Sequence, residues 1–187
     1  VVPCFNEEAS IDDFYEEVMK NKSFFQAEGL QLELLFIDDG SKDGTVDKIK
    51  ALKEKDDCVR MISFSRNFGK EAAMYAGLEK SKGDYVVIMD VDLQDPPSLL
   101  PQMYNHIQEG FDSVATRRVT RKGEPPIRSF FARCFYRLMK RISKTEIMDG
   151  ARDYRMMTRQ MVNAILQMQE YNRFTKGNYG WVEFQTK

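Results

Sequence analysis

Ile11, Phe14, Tyr15, Val18 and Met19 recur at three- and four-residue intervals, the stripe of an amphipathic helix. The period then changes. "LELLFIDDGS" (32–41) is a short apolar run closed by turn residues, and it predicts a buried strand. Residues 44–55 return to a helical pattern, with Asp43 or Thr45 near the start. "VRMISFS" (59–65) predicts a strand, and the Ala-rich "GKEAAMYAGLEKS" (69–81) a helix closed by Gly83. "YVVIMD" (85–90) predicts the next strand. Pro96-Pro97 predict the start of a helix over 97–109, because the fixed φ of proline suits a first turn. "DSVATR" (112–117) predicts a short strand, and residues 158–168 a last helix. Strands that alternate with helices predict an α/β domain, its mostly parallel sheet flanked by helices on both faces.

In such sheets a ligand sits beyond the carboxyl ends of the strands. Three polar clusters fall there: "PCFNEE" (3–8), "DDGS" (38–41) and "DVDLQD" (90–95). Strand alternation points Asp90 and Asp92 to one side and Val91 to the other. Two carboxylates at that spacing, with Gln94 beyond, can share a hard divalent cation, which prefers oxygen ligands and completes its shell with water and substrate phosphates. The same residues also read as a solvated acidic turn, with Asp95 as the cap ahead of Pro96. Asp38 and Asp39 can accept hydrogen bonds from a base or a ribose. They can equally form an Asx turn and helix cap, the reading preferred for Ser41 and Asp43. Glu7 and Glu8 are expected to open the first helix, where the helix dipole favours acids.

Composition narrows the choice. Apolar residues make up 42% and charged residues 30% of the 187, values of a globular domain with a real core. No apolar run approaches the roughly 20 residues that span a bilayer. The three cysteines, Cys4, Cys58 and Cys134, are odd in number and scattered, which argues for reduced thiols in a cytosolic setting and against a zinc site. His106 is the sole histidine, which excludes a His-based triad or a multi-His metal centre. The chain opens at Val1-Val2-Pro3 without an initiator Met, so residues 1–187 are expected to be one domain cut from a longer protein.

Charge is unevenly spread. Residues 1–58 hold 15 acidic and 7 basic residues, whereas 117–141 hold nine basic residues against Glu124 alone, so the second segment suits an anionic partner. Within it, Ile127, Phe130, Phe131, Cys134, Phe135, Leu138, Met139 and Ile142 recur at helical spacing among Arg128, Arg133, Arg137, Lys140 and Arg141. An aromatic face with a cationic flank suits an anionic membrane surface or a lipid phosphate, and the same period suits a core helix with a solvated basic face. "DGARDYR" (149–155) offers Asp149 and Asp153 as catalytic acids, with Arg152 and Arg155 to pair with them or with phosphates. "NRFTKGNYGW" (172–181) adds Arg173 and Lys176.

Together, "VVPCFNEE", "IDDGSKDGT", "SRNFGKEAAMYAGLEKSKGDYVVIMDVDLQDPP" and "DGARDYRMMTR" resemble the inverting GT-A glycosyltransferases of family 2. Within that family the chain is most similar to the polyprenyl-phosphate branch, the dolichyl-phosphate mannose synthases and bactoprenol glucosyltransferases. The resemblance implies a GT-A fold over nearly the whole chain. It implies transfer of a hexose from a UDP- or GDP-sugar to a polyprenyl phosphate, with Mg²⁺ or Mn²⁺, at the cytoplasmic face of the membrane. By position it implies nucleotide-sugar contacts from Pro3, Phe5, Glu7, Asp39, Lys70, Asp90 and Arg173, where Phe5 replaces the Tyr of the family's PxYNE motif. It implies a metal at Asp90, Asp92 and Gln94, catalytic roles for Asp153 and Asp92, and an acceptor-phosphate site at Arg117, Arg128 and Ser129, for which Arg173 is a further candidate. The stretch 127–142 becomes the membrane-facing element, and the transmembrane helices that usually follow in the family lie outside this sequence. Two rival readings stand beside it. One is a same-fold enzyme acting on a glycan hydroxyl. The other is an aspartyl phosphoacceptor domain, since "LLFIDDGS" and "VVIMDVDLQDPP" faintly resemble response-regulator receivers, but that leaves the basic stretch without a role.

Overall fold

The computed structural model describes residues 1–117, 151–168 and 184–187. β2 (Leu34–Asp38) is buried along its whole length, which is why it reads as a continuous apolar run rather than an alternating one. It lies between β1 (Val2–Cys4) and β3 (Val59–Ser63), parallel to both, with Phe36 opposite Val2 on one side and Met61 on the other. β4 (Tyr85–Ile88) follows on the far side of β1. The Val1 nitrogen donates to the Val87 carbonyl at 2.7 Å, and the Met89 N–H donates to the Val1 carbonyl at 3.1 Å, the slanted pattern of a parallel pair. β6 (Ala151–Thr158) runs antiparallel to both β4 and β5 (Ser113–Arg117). The spatial order is β3-β2-β1-β4-β6-β5, with β6 reversed among otherwise parallel strands.

Alternation along β2 builds the core on both faces. Leu34 and Phe36 face α1 (Ile11–Met19), α3 (Thr45–Lys55) and α5 (Leu100–Gln108), in a cluster with Ile11, Phe14, Ile49 and Met103. Leu35 and Ile37 face the other way and pack with Ala73 of α4 (Lys70–Lys80). Met74 and Leu78 of α4 continue that layer against Val86, Ile88 and Met161, the last from α6 (Arg159–Gln167). Burying side chains of this size stabilises the fold by about 1.5–3 kcal/mol each before chain entropy is counted.

The expected elements recur with small shifts, and the differences have physical causes. The helix expected over 97–109 is divided into a 3-10 turn, Pro97–Leu99, and α5, whose first turn carries Pro101. α4 is closed not by Gly83 but by Ser81 in an extended conformation. Asp95 does not cap the turn at Pro97: Pro96 holds the cap position without a side-chain bond, and Asp95 is buried. Glu8 lies before the start of α1; its Oε2 accepts from the Gly44 N–H at 2.9 Å and ties two loops together. A short helix, α2 (Lys22–Ala27), has no separate signal in the sequence. Of the two acids in 149–155 read above as catalytic candidates, Asp153 lies in a strand, β6.

Candidate active site

The polar clusters after β1, β2 and β4 meet at one edge of the sheet, as their strand-end positions predict. They border a cavity of about 330 Å³ lined by Pro3, Phe5, Glu7, Asp39, Asn67, Gly69, Lys70, Asp90 and Asp92. The loop between β3 and α4 supplies Asn67 and Gly69, two lining residues the sequence reading passed over. Their signal was present, because they too follow the carboxyl end of a strand.

Asp39 is 3% exposed, and both its carboxylate oxygens are engaged. Oδ1 accepts from the Phe68 N–H at 2.7 Å and Oδ2 from the Gly69 N–H at 2.9 Å. Asp39 therefore straps the β3–α4 loop to the end of β2. Gly40 makes the close approach possible. Its φ is +75°, and a Cβ there would lie 2.5 Å from the Arg66 carbonyl carbon, so no side chain fits without moving backbone. Asp38 is structural: it accepts from the Ser41 N–H, three residues on, at 3.0 Å and from the Ser63 hydroxyl at 2.6 Å. Asp43 accepts from the Thr45 N–H at 3.1 Å and its hydroxyl at 2.6 Å, but it is not the helix cap expected of it: Gly44 holds that position, without a side-chain bond.

Across the cavity, three charges converge. β4 and β6 pair with Ile88 opposite Arg155, and continuing that antiparallel register two residues sets Asp90 opposite Asp153. The Lys70 ammonium bridges them, 2.7 Å from Asp90 Oδ1 and 2.8 Å from Asp153 Oδ2. Burial pulls the Lys70 ammonium down, but the hydrogen bonds to Asp153 and Asp90 outweigh it and hold its pKa above the ordinary lysine value. Asp92 is exposed, and its Oδ1 accepts from the Gln94 N–H at 3.1 Å. Leu93 between them has φ +55°, a left-handed backbone that costs a non-glycine residue about 1–3 kcal/mol and clusters at functional turns. Asn6, with φ +57°, marks the loop after β1 in the same way. Its backbone N–H donates to Ser41 Oγ at 2.9 Å and its Oδ1 accepts from the Lys42 N–H at 2.8 Å.

Asp90 and Asp92 offer carboxylate oxygens of the kind a hard divalent cation takes. Among the described residues no group of three or more His, Cys, Asp or Glu is arranged to hold a metal. The donor set therefore fits Mg²⁺ or Mn²⁺ only in the mode in which one or two carboxylates are completed by ligand phosphates and water. Cys4 also lines the cavity, but burial, and then the charges of Asp38 and Glu7, push its thiol up to about 12, which removes it as a nucleophile. Cys4 and Cys58 are both free thiols.

Arg117 ends β5 and is exposed. Arg155 is not available to phosphates: it is 6% exposed and its Nη1 donates to Ser113 Oγ at 2.9 Å. Arg128, Ser129, Arg173, Lys176, Asp149, the Arg152 side chain and the basic stretch 127–142 lie outside the described residues. Among the described residues no helix is long and apolar enough to cross a membrane.

Comparison with known proteins joins these features. The family described as Glycosyl transferase family 2 matches residues 1–166. The chain is 41% identical over 186 residues to the bactoprenol glucosyl transferase of Shigella phage SfX, covering 100% of this chain and 60% of that protein. It is equally similar, 41% over 186 residues, to the prophage bactoprenol glucosyl transferase homolog of Escherichia coli (strain K12), with 100% and 60% covered. The chain thus spans less than two thirds of the length of these relatives. Among solved structures it resembles the mannosyltransferase PcManGT from Pyrobaculum calidifontis in complex with GDP-Man and Mn²⁺, with TM-score 0.66, 18% identity, and 99% of this chain and 52% of that one covered. It also resembles glucosyl-3-phosphoglycerate synthase from Mycobacterium tuberculosis in complex with Mn²⁺, UDP and phosphoglyceric acid, with TM-score 0.56, 25% identity, and 87% and 56% covered. A GT-A sheet with one reversed strand, an acidic cavity at its carboxyl edge and a family match over most of the sequence leave the phosphoacceptor reading without support: the chain belongs to glycosyl transferase family 2.

Proposed function

We propose that residues 1–187 are the catalytic domain of an inverting hexosyltransferase that moves a sugar from a nucleoside diphosphate to a polyprenyl phosphate. The observation that carries this reading is the meeting of Asp39, Lys70, Asp90 and Asp92 in one cavity, with Asp153 bound to the same lysine. The names of the relatives support the acceptor and, with a lipid acceptor, action at a membrane surface, which the reading places on the cytoplasmic side.

The nucleoside lies against Phe5, which is 42% exposed and offers an open aromatic face. Pro3 and Glu7 border it. Each Asp39 oxygen holds one backbone N–H and keeps a second lone pair for a donor group of the base. Lys70, at the amino end of α4, contacts the diphosphate, where positive charge and the helix end favour an anion, and Arg173 is assigned to the same group from the family resemblance alone. Asp90 and Asp92, with Gln94 beside them, hold Mg²⁺ or Mn²⁺, which when bound offsets the charge that develops on the leaving diphosphate. Arg117, Arg128 and Ser129 receive the acceptor phosphate.

An acceptor oxygen attacks the anomeric carbon in line. The new C–O bond forms as the bond to the nucleoside diphosphate breaks, its electron pair leaves with the diphosphate, and configuration inverts. A phosphomonoester's second pKa is near about 6, so a lipid phosphate is already largely dianionic at neutral pH and needs no base. Asp153 then orients the reacting groups, a role consistent with an Oδ2 already engaged by Lys70. A glycan hydroxyl would instead require Asp153 to take a proton.

Calorimetric titration with UDP-glucose, UDP-GlcNAc and GDP-mannose, each with and without Mn²⁺, tests the donor site. One donor is expected to bind in a metal-dependent manner and to lose that binding in Asp92→Asn. A folded chain that binds none of them overturns the reading. Transfer of the identified sugar to a polyprenyl phosphate, and not to a soluble glycan, checks the acceptor.

A further inference from the structure

Lys70 is the first residue of α4. A cation there opposes the helix dipole, whose amino end is positive, and the preceding cap residue, Gly69, brings no side chain to offset it. Glu71 in the first turn supplies one negative charge, and the cavity supplies two more in direct contact with the ammonium. The ammonium is 2.7 Å from one Asp90 oxygen and 2.8 Å from one Asp153 oxygen, so a single positive charge joins the two carboxylates. Asp90 is also the carboxylate that a divalent cation would use. Two cations at hydrogen-bonding distance from one carboxylate repel each other. A nucleoside diphosphate changes that balance, because its phosphate oxygens give Lys70 another partner. The Lys70 and Asp90 side chains are 42% and 35% exposed, so the ammonium can exchange partners without disturbing the core.

The geometry points to Lys70 as an exchangeable counterion: it occupies Asp90 in the donor-free site and turns to the diphosphate when the donor binds, so that the divalent cation enters with the nucleotide rather than alone. This inference rests on the cavity being the donor site. It makes Lys70 a control on the order of binding as well as a diphosphate contact.

Calorimetry on the full chain, with Mn²⁺ alone, with UDP or GDP alone and with both together, tests it. Wild type is compared with Lys70→Met, Lys70→Gln and Lys70→Arg, each shown to be folded by thermal unfolding. Wild type is expected to bind Mn²⁺ alone at least about tenfold more weakly than with nucleotide, as a displaced like charge requires. Either charge-removing variant is expected to tighten binding of Mn²⁺ alone by about tenfold and to weaken binding of the diphosphate. Lys70→Arg restores the wild-type order. A lysine that only supported the fold would weaken both ligands when replaced, and that result overturns the proposal. So does a wild type that binds Mn²⁺ alone as tightly as with nucleotide, a result that stands even if no variant folds. Nucleotides that bind while charge removal leaves Mn²⁺ affinity unchanged defeat the counterion role alone. No nucleotide binding under any condition defeats the donor-site reading and this inference with it.

Discussion

Asp90, two residues beyond the end of β4, and Asp153, within β6, are 63 positions apart in the chain, yet the Lys70 ammonium lies within 2.8 Å of an oxygen of each. The repulsion of two carboxylates beside a buried strand is thus offset from within the chain by the first residue of α4. Both acids become parts of a single site through that contact.

Replacing Asp153 with Asn keeps the shape of the side chain and removes its charge. It is expected to lower kcat by about a hundredfold or more, with donor affinity changed less than about threefold. Steady-state kinetics beside donor titration checks this. A loss confined to donor affinity would move Asp153 out of the reacting centre.

Asp39→Ala leaves two backbone N–H groups, those of Phe68 and Gly69, without their acceptor. The expected cost is about 2–4 kcal/mol, since bonds to a charged acceptor contribute about 1.5–3 kcal/mol each and part of the loss is recovered by water. Thermal unfolding reads it directly, and donor affinity should fall with it because the loop that carries Asn67 and Gly69 lines the cavity.

Gly40→Ala tests the same strap from the other side. The new methyl group would have to occupy space 2.5 Å from the Arg66 carbonyl carbon, at a φ of +75°. A destabilisation above about 1 kcal/mol is expected. Unchanged stability would show that residues 64–69 can shift away from β2.

Asp56 joins three elements: it accepts from the Tyr15 hydroxyl at 2.9 Å, the Cys58 N–H at 3.0 Å and the Lys22 ammonium at 3.3 Å. The Cys58 bonds first, then Tyr15 and Lys22, hold its carboxyl well below the usual range against the opposing effect of burial. A depressed carboxyl contributes stability that is fully present above the ordinary value of 3.8 and is lost as pH falls through the lower folded value. Burial and the bond to Asp56 push Tyr15 up to about 12, so its contribution is lost at the opposite end, as pH rises from 10.0 towards that value. Asp56→Asn is expected to cost about 1–3 kcal/mol at neutral pH, and the difference from wild type should shrink in denaturant titrations below pH 3.8.

Cys4 and Cys58 have thiols pushed up to about 12, each chiefly by burial. Reaction with iodoacetamide at pH 8 should be slow at both in the native chain and complete after unfolding, as peptide mapping would show. Rapid native labelling of Cys4 would mean that the cavity floor opens.

Much of this protein is determined by sequence periods alone. The helical spacing of Ile11, Phe14 and Val18, and the unbroken apolar run of β2, depend only on neighbours along the chain, so they survive into the structure with their boundaries nearly intact. The edge that carries the site was legible for the same reason: clusters after β1, β2 and β4 must meet if those strands are parallel. What the tertiary structure decided is non-local. A strand's apolar pattern reads alike in either direction, so nothing within 151–158 announces that β6 runs backwards through the sheet. That reversal sets Asp153 against Asp90 and turns Arg155 inward to Ser113. The acceptors of Asp39 were equally hidden, because they are backbone groups of a loop about thirty residues away, and a backbone N–H leaves no mark on the sequence. Local periods are written residue by residue, whereas strand direction and the partners of a carboxylate depend on which distant segments come to lie side by side.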